Sequence, residues 1–343
     1  MKASKRIMIW IIISLILQCT LYVFLDKYYY ASAGSIKITD ITAEEQVKKI
    51  VPNVALGSTA KNVTLSDDLA YTATLEDGLV KVVDTSTGKT KANLTYSSGV
   101  KCLAYMWVPG TDIMDIVEKV NNTTIKFYSY DADKEIKTEI DDSTTHKALF
   151  ASAGQSAEMK MSVLTGVLYI KIGHSNDSFY MYRIDRNEQL KRVLTLTNNI
   201  GTFAVASSDD QLIYNDIYGR IKVYNYAEKS SIIIPGVLKP SIIGTDDNDN
   251  FYVGNGSLQS NAIYYGKLSD NISSWKKIVL GTMIDNKNIV VLPNGGIYTL
   301  DRQNSIVTDV KGNKTYNYQG TFLQINNGNI IYNNGGKLKF KPL

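Results

Sequence analysis

An all-β fold is predicted by three observations: an abundance of strand-forming residues, a strand–turn–strand pattern that recurs along the chain, and a second alternating pattern interleaved with it. Among the 343 residues are 23 Tyr, with many Ile, Val and Thr besides. Aromatic and β-branched side chains of this kind suit a pleated, half-buried surface. Hydrophobic residues at 44% against 20% charged give an ordinary globular balance, so disorder is excluded as the general state.

The first pattern is an apolar strand, an Asp- or Asn-rich tight turn and another apolar strand. It appears as NVTLSDDLAYTA from Asn62, FAVASSDDQLIYND from Phe203, SIIGTDDNDNFYVGN from Ser241, TMIDNKNIVVL from Thr282 and FLQINNGNIIYNN from Phe322. Asp, Asn and Gly close such turns by bonding locally to the backbone or by tolerating positive φ. In the second pattern a Gly or Asn turn leads into an alternating strand and then a polar hairpin. It begins at Asp77, Asn122, Asn176, Tyr218, Ser260, Gly295 and Gly335. Successive instances lie roughly 35–55 residues apart, the span of a four-stranded propeller blade. Seven units follow, so the expected fold is a seven-bladed β-propeller of four-stranded antiparallel blades.

The N-terminus reads differently. Ile7 to Leu25 carries no charge over about 19 residues, or about 28 Å of helix, close to the ~30 Å bilayer core. Lys2, Lys5 and Arg6 precede it, which places the N-terminus in the cytoplasm and the rest outside by the positive-inside rule. The expected organisation is a basic tail over 1–6, one transmembrane signal-anchor helix over 7–25, a linker over 26–34 and an extracytoplasmic propeller over 35–343. Ala31-Ser32-Ala33 offers a cleavage site for the alternative, secretion after cleavage near Ala33. Leu17-Gln18 before Cys19 lacks the small residues of a lipoprotein signal.

SIKITDI, from Ser35 to Ile41, is a spare strand ahead of the first full blade, while the last unit stops at Leu343 after three strands. Pairing the two closes the ring and removes a sheet edge. Thr42 with Glu45 fits a capping box on a helical turn between them. The Asp84-to-Lys89 hairpin (DTSTGK) and the strand–SDD–strand units resemble the YVTN-type and WD-like bacterial propellers. The stretch YMWVPGTDIMDIVEKVNNTTIKFYSYDADK from Tyr105 is similar to a blade of the dipeptidyl-peptidase IV N-terminal propeller. The resemblance covers nearly all of 34–343. It lacks the Gly-His and Trp-Asp signature of WD repeats and any following hydrolase domain, so it implies a fold and a binding role without peptidase activity.

Candidates for chemistry are few. The 37 basic and 33 acidic residues fall to about 33 and 32 once Lys2, Lys5, Arg6, Asp26 and Lys27 are set aside, and they are interspersed, which argues against nucleic acid as a partner. Cys19 and Cys102 are the only cysteines; Cys102 reads as a small buried hydrophobe, and neither a disulfide framework nor a thiolate zinc site is available. His146 and His174 both sit in polar stretches with no G-x-S-x-G elbow nearby. Asp246, Asn248 and Asn250 imitate calcium-loop positions, but Phe251 and Ser257 stand where that loop needs Gly and Glu. Asp270 and Trp275 keep the spacing of a sialidase-type Asp box, with Leu268 and Ile272 in place of its small residues. Tyr128 with Tyr130, Tyr180 with Tyr182, Tyr224 with Tyr226 and Tyr316 with Tyr318 share strand faces, as blade packing or as anchors for a partner. The sequons at Asn62, Asn93, Asn122, Asn176, Asn271 and Asn313 read as chance, since the Lys, Ile, Asn and Tyr bias resembles proteins of AT-rich bacteria.

No catalytic, cofactor-binding or metal site residue is assigned, and no cofactor is expected. The expected function is a membrane-anchored extracytoplasmic module that binds or scaffolds a protein partner or a cell-envelope glycan. The alternative is an extracytoplasmic hydrolase or lactonase using carboxylates in the central channel.

Overall fold

The computed structural model describes residues 2–24 and 50–343, apart from 95–98, 143, 148, 153, 176–177, 196, 217 and 226–227. They fall into two compact units, Met1–Lys49 and Ile50–Leu343. The first contains one helix, Lys2–Phe24. Its described side chains are exposed, among them Trp10, Leu17, Cys19 and Tyr22. Among the described residues no helix is long and apolar enough to cross a membrane. The expected linker 26–34, the strand 35–41 and the Thr42–Glu45 cap lie outside the described residues.

The second unit is built of seven antiparallel sheets, each with its strands in chain order. Blade 1 covers 61–94, blade 2 101–139 with 150–152 added at its edge, and blade 3 156–193. Blade 4 covers 203–232, blade 5 241–285, blade 6 289–317 and blade 7 321–342. First strands of successive blades touch from blade 1 through blade 6, and again from blade 7 to blade 1, so they line the axis. Each blade is covered on both faces by its neighbours, which is why an inner strand such as Tyr71–Glu76 is buried at four consecutive positions. Outer strands, such as Lys276–Asp285, are largely exposed.

Ring closure is visible in the core. An open row of seven sheets has six contacts between neighbours, whereas seven hydrophobic clusters are present, one at each contact of a closed ring. The closing cluster joins Leu65 and Val83 of blade 1 to Ile331 and Leu338 of blade 7 through Val54 and Leu56. Leu56 N–H donates to the Gly336 carbonyl (2.8 Å) and Leu338 N–H to the Val54 carbonyl (3.0 Å). Ala55 pairs antiparallel with Lys337, so 54–56 stand beside the third strand of blade 7 where a fourth belongs. The side chain of Asn326 in blade 7 adds a bond to the Ser66 carbonyl in blade 1, 3.1 Å long.

The sequence patterns map onto this ring with one slip. Four instances of the first pattern are first-to-second-strand hairpins, but TMIDNKNIVVL runs from the last strand of blade 5, through the short 3-10 turn Asn286–Asn288, into the first strand of blade 6. The unit beginning at Gly295 correspondingly supplies the second and third strands of blade 6, one strand earlier than its counterparts. Two-residue turns fall where Asp77-Gly78, Asn327-Gly328 and Gly335-Gly336 supply two consecutive positive φ values, the geometry that matches strand twist.

Candidate functional site

The two mouths of the ring differ chemically. At one, the first-to-second and third-to-fourth strand turns are rich in Asp whose oxygens are already bonded. Asp68 accepts from Ser66 Oγ and Ala70 N, Asp84 from Ser86 and Thr87, and Asp309 from Lys311 and Gly312. Burial pushes the Asp84 carboxyl up, but these donors outweigh it and hold it below the ordinary value. Other bonds cross between blades. Gly110 N–H of blade 2 donates to Asp67 of blade 1 (2.7 Å), Ser208 N–H of blade 4 to Asp249 of blade 5 (2.8 Å), and Asp247 N–H to the Pro293 carbonyl of blade 6 (2.8 Å). Between blades 3 and 4, buried Arg183 donates to Asp210 through Nε (2.9 Å) and Nη2 (2.6 Å), and the Tyr169 hydroxyl donates to the same carboxylate (2.5 Å). The recurring Asp pairs therefore close turns and tie blades together.

The opposite mouth, formed by second-to-third strand turns and the crossovers between blades, carries the candidate site. A cavity of about 570 Å3 lies between blades 4 and 5 above Asn215. It shares Thr202, Lys239, Ser241 and Ser257 with a second cavity of about 990 Å3 that extends to the crossover into blade 6, so the two form one groove. Four large apolar side chains line it while open to solvent: Tyr218 (69% exposed), Leu238 (94%), Leu258 (75%) and Met283 (58%).

The floor is rigid. Asn215, buried at the end of the second strand of blade 4, donates from Nδ2 to the Pro240 carbonyl (3.0 Å). Its Oδ1 accepts from Thr202 Oγ1 (2.8 Å) and Ile242 N–H (3.0 Å). One side chain thus fixes the crossover that carries Leu238 and Lys239. At the other end Asn286 donates from Nδ2 to the Gly256 carbonyl (2.9 Å), and its N–H bonds the Leu258 carbonyl (2.8 Å).

The charges of the groove are unequal. Burial pushes Asp216 up, but Arg220 and Tyr218 N–H and the Arg220 guanidinium (Nε 2.7 Å) outweigh this and hold it below the usual range. The same guanidinium lies 4.7 Å from the Tyr218 ring. Asp285 accepts from Lys287 N–H as a turn cap (2.9 Å). Among the described residues neither Lys239 nor Lys287 has an ion-pair partner, and both are exposed.

The residues singled out in the sequence fall elsewhere. Asp246 is surrounded by donors from Asn248, Asn250 and Tyr252, and acts as a turn cap within blade 5. Trp275 is buried between blades 4 and 5 and donates to the Lys267 carbonyl (3.1 Å), while Asp270 caps the same hairpin. A side chain at Gly266 would meet Trp275 at 2.5 Å, so the tight hairpin needs glycine there. His146 sits at positive φ in a turn after blade 2, and His174 packs 4.3 Å from the Tyr180 ring. Cys102 is half-buried against the blade 1–blade 2 core. Tyr128 with Tyr130, Tyr180 with Tyr182, and Tyr316 with Tyr318 all belong to clusters between blades; Tyr226 and Asn176 lie outside the described residues. Among the seven first strands the one carboxylate is Glu158, and it is ion-paired with Lys171 at 2.7 Å.

No family model matches the sequence, and no curated protein matches it. Among solved structures the chain is similar to one from a crystal structure of the mitotic checkpoint complex, with 12% identity, a TM-score of 0.52 and coverage of 86% of this chain and 92% of that one. It is also similar to the β-propeller domain of Cps50 (Swd1) from Myceliophteria thermophila, with 10% identity, a TM-score of 0.52 and coverage of 85% and 99%. Likeness at this identity defines the class, a closed seven-bladed β-propeller, and nothing narrower.

Proposed function

We propose that this chain is a docking module whose propeller holds a protein partner in the groove over blades 4 and 5. The observation that carries the proposal is the gathering of four exposed large apolar side chains around one groove whose floor is tied by Asn215; the other mouth, with its turn carboxylates bonded within the ring, exposes Leu164 on blade 3 and Ile136 on blade 2. Isolated apolar residues on a surface need no explanation, but a cluster around a concavity marks a contact site. Among the described residues the first strands offer channel chemistry a single carboxylate, Glu158, and no second one to pair with it, which favours docking over the hydrolase alternative.

The proposal includes a tether. The uncharged run Ile7–Leu25, preceded by Lys2, Lys5 and Arg6, suits a single span with the N-terminus cytoplasmic and the propeller outside. Exposed apolar side chains throughout the described part of the helix are consistent with a lipid environment. The full chain, cross-linked in intact cells and purified from membranes beside its Leu238→Asp/Leu258→Asp variant, tests both halves. A protein recovered with the first and lost with the second supports docking. No partner, or equal recovery by both, removes it. Cleavage of the propeller by protease added outside intact cells supports the tether; protection of the propeller refutes its outward placement, and a shed form starting near residue 34 replaces the tether by secretion.

A further inference from the structure

The geometry of the groove points to the chemistry of its occupant: we infer that it takes a peptide segment in which acidic residues flank aliphatic ones. This rests on the docking reading above and narrows it.

Charge comes first. Asp216 is paired with the Arg220 guanidinium, whereas Asp285, exposed and bonded only to the neutral Lys287 N–H, keeps its charge and offsets one lysine of the groove. The ammonium groups of Lys239 and Lys287 are exposed and unpaired among the described residues, one on the crossover into blade 5 and the other on the crossover into blade 6. Lys239 and Lys287 against Asp285 leave a surplus of one positive charge around the larger cavity, and its complement is a carboxylate.

Shape and polarity come second. The apolar part of the cavity that both lysines line is aliphatic, Leu238, Leu258 and Met283, set among polar groups such as Thr202, Asn255 and Gln259. Leu and Met side chains match aliphatic groups, and Met adapts to irregular ones. A glycan site would need flat aromatic platforms. The groove has Tyr218, and the Arg220 guanidinium lies against that ring. A phosphate-rich polymer would need a denser set of cations and would gain nothing from the leucines. At about 990 Å3 the larger cavity alone reaches the top of the roughly 300–1,000 Å3 range of small-molecule sites, and the smaller one continues it. A stretch of chain fills such a groove better than a compact metabolite does.

Random peptides of ~12 residues, displayed and selected on the immobilised full chain, test this, with the Leu238→Asp/Leu258→Asp protein as counter-selection. The expected result is enrichment of peptides with Asp or Glu next to Leu, Ile or Met. For a selected peptide, Lys239→Glu/Lys287→Glu should weaken binding roughly tenfold, the effect of two exposed ion pairs. Its affinity should also fall as salt rises from roughly 50 to 200 mM. Thermal melts matching the parent confirm that each variant folds. Enriched peptides that are basic or uncharged, yet still need Leu238 and Leu258, overturn the acidic assignment and leave the docking reading standing. Enrichment indifferent to both variants, or none at all, overturns both. Binding of sulfated glycans through the lysines, with no peptide enriched, replaces the peptide by an anionic sugar.

Discussion

Replacing Asp115 by Asn isolates one buried carboxyl whose effect on stability has a definite sign. Asp115 lies in the second strand of blade 2, Ile113–Lys119, and is 8% exposed. It shares a strand face with Val117, which packs against blade 3. Burial pushes its carboxyl from 3.8 up to about 7, with a further push from Glu188 in blade 3. The folded value is thus above the unfolded one. Below about pH 3 both states hold the proton. As pH rises towards 7 the unfolded chain releases it and the folded chain does not, so stability falls by about 1.4 kcal/mol per pH unit and levels off above the folded value. The accumulated cost at about pH 8 is about 4 kcal/mol, from a difference of roughly three pH units. Asn resembles the neutral carboxyl and escapes this cost. Urea unfolding of both proteins, followed by circular dichroism at pH values from about 3 to about 8, should show a gap near zero at the acid end that grows to about 4 kcal/mol in favour of Asn. Asp84 and Asp216 contribute slopes of opposite sign to both proteins and cancel in the difference. A gap that does not change with pH, or a variant less stable at pH 8, refutes the reasoning.

Leu56→Ala, at a position 6% exposed in the closing segment, should cost about 2–4 kcal/mol in urea unfolding, whereas Val51→Ala, 71% exposed, should stay within about 0.5 kcal/mol. Asp210→Ala removes the acceptor that Arg183 and Tyr169 share and weakens the pairing of a buried guanidinium, at about 3 kcal/mol in the same assay; Asp210→Asn keeps an acceptor and should cost less. Leu238→Asp/Leu258→Asp, at exposed positions, should shift stability by no more than about 0.5 kcal/mol, which a thermal melt checks before any binding loss is assigned to docking.

Much of the ring was legible in the sequence because blade geometry imposes local rules. Alternation marked strands such as Thr124–Asp131, and Asp-Gly, Asn-Gly and Gly-Gly marked two-residue turns. The slip at TMIDNKNIVVL has a physical origin. An apolar–polar–apolar run describes a hairpin within one blade and a crossover between two equally well, because both are strand, turn and strand. Lys276–Asp285 adds to the ambiguity, with an irregular register and Gly281 at positive φ before Thr282. The segment 54–56 gave no strand signal: it follows Pro52 and pairs with blade 7 through the bridge at Ala55. Its place is set by the apolar gap between Val83 and Leu338, which is a tertiary feature.

The groove was not legible, and the reason bears on where function lies in a repeat fold. Residues that recur are those the ring needs in every blade: Asp in the turns and apolar side chains facing the next sheet. The SDD units belong to this class, since Asp67, Asp247 and Asp249 take part in bonds between neighbouring blades. Such residues recur in any sequence that closes a ring this way, whatever it binds. Leu238 and Leu258 fall between the repeated units, Tyr218 and Met283 lie at the very start of two of them, and all four are far apart along the chain, in turns or an outer strand where apolar side chains bury little. An aliphatic residue in a turn, as Leu238 is between Gly236 and Pro240, contributes nothing to the ring's stability by its exposure. Its cost to solubility must be offset elsewhere, and in this fold the groove is where those departures from the repeat converge.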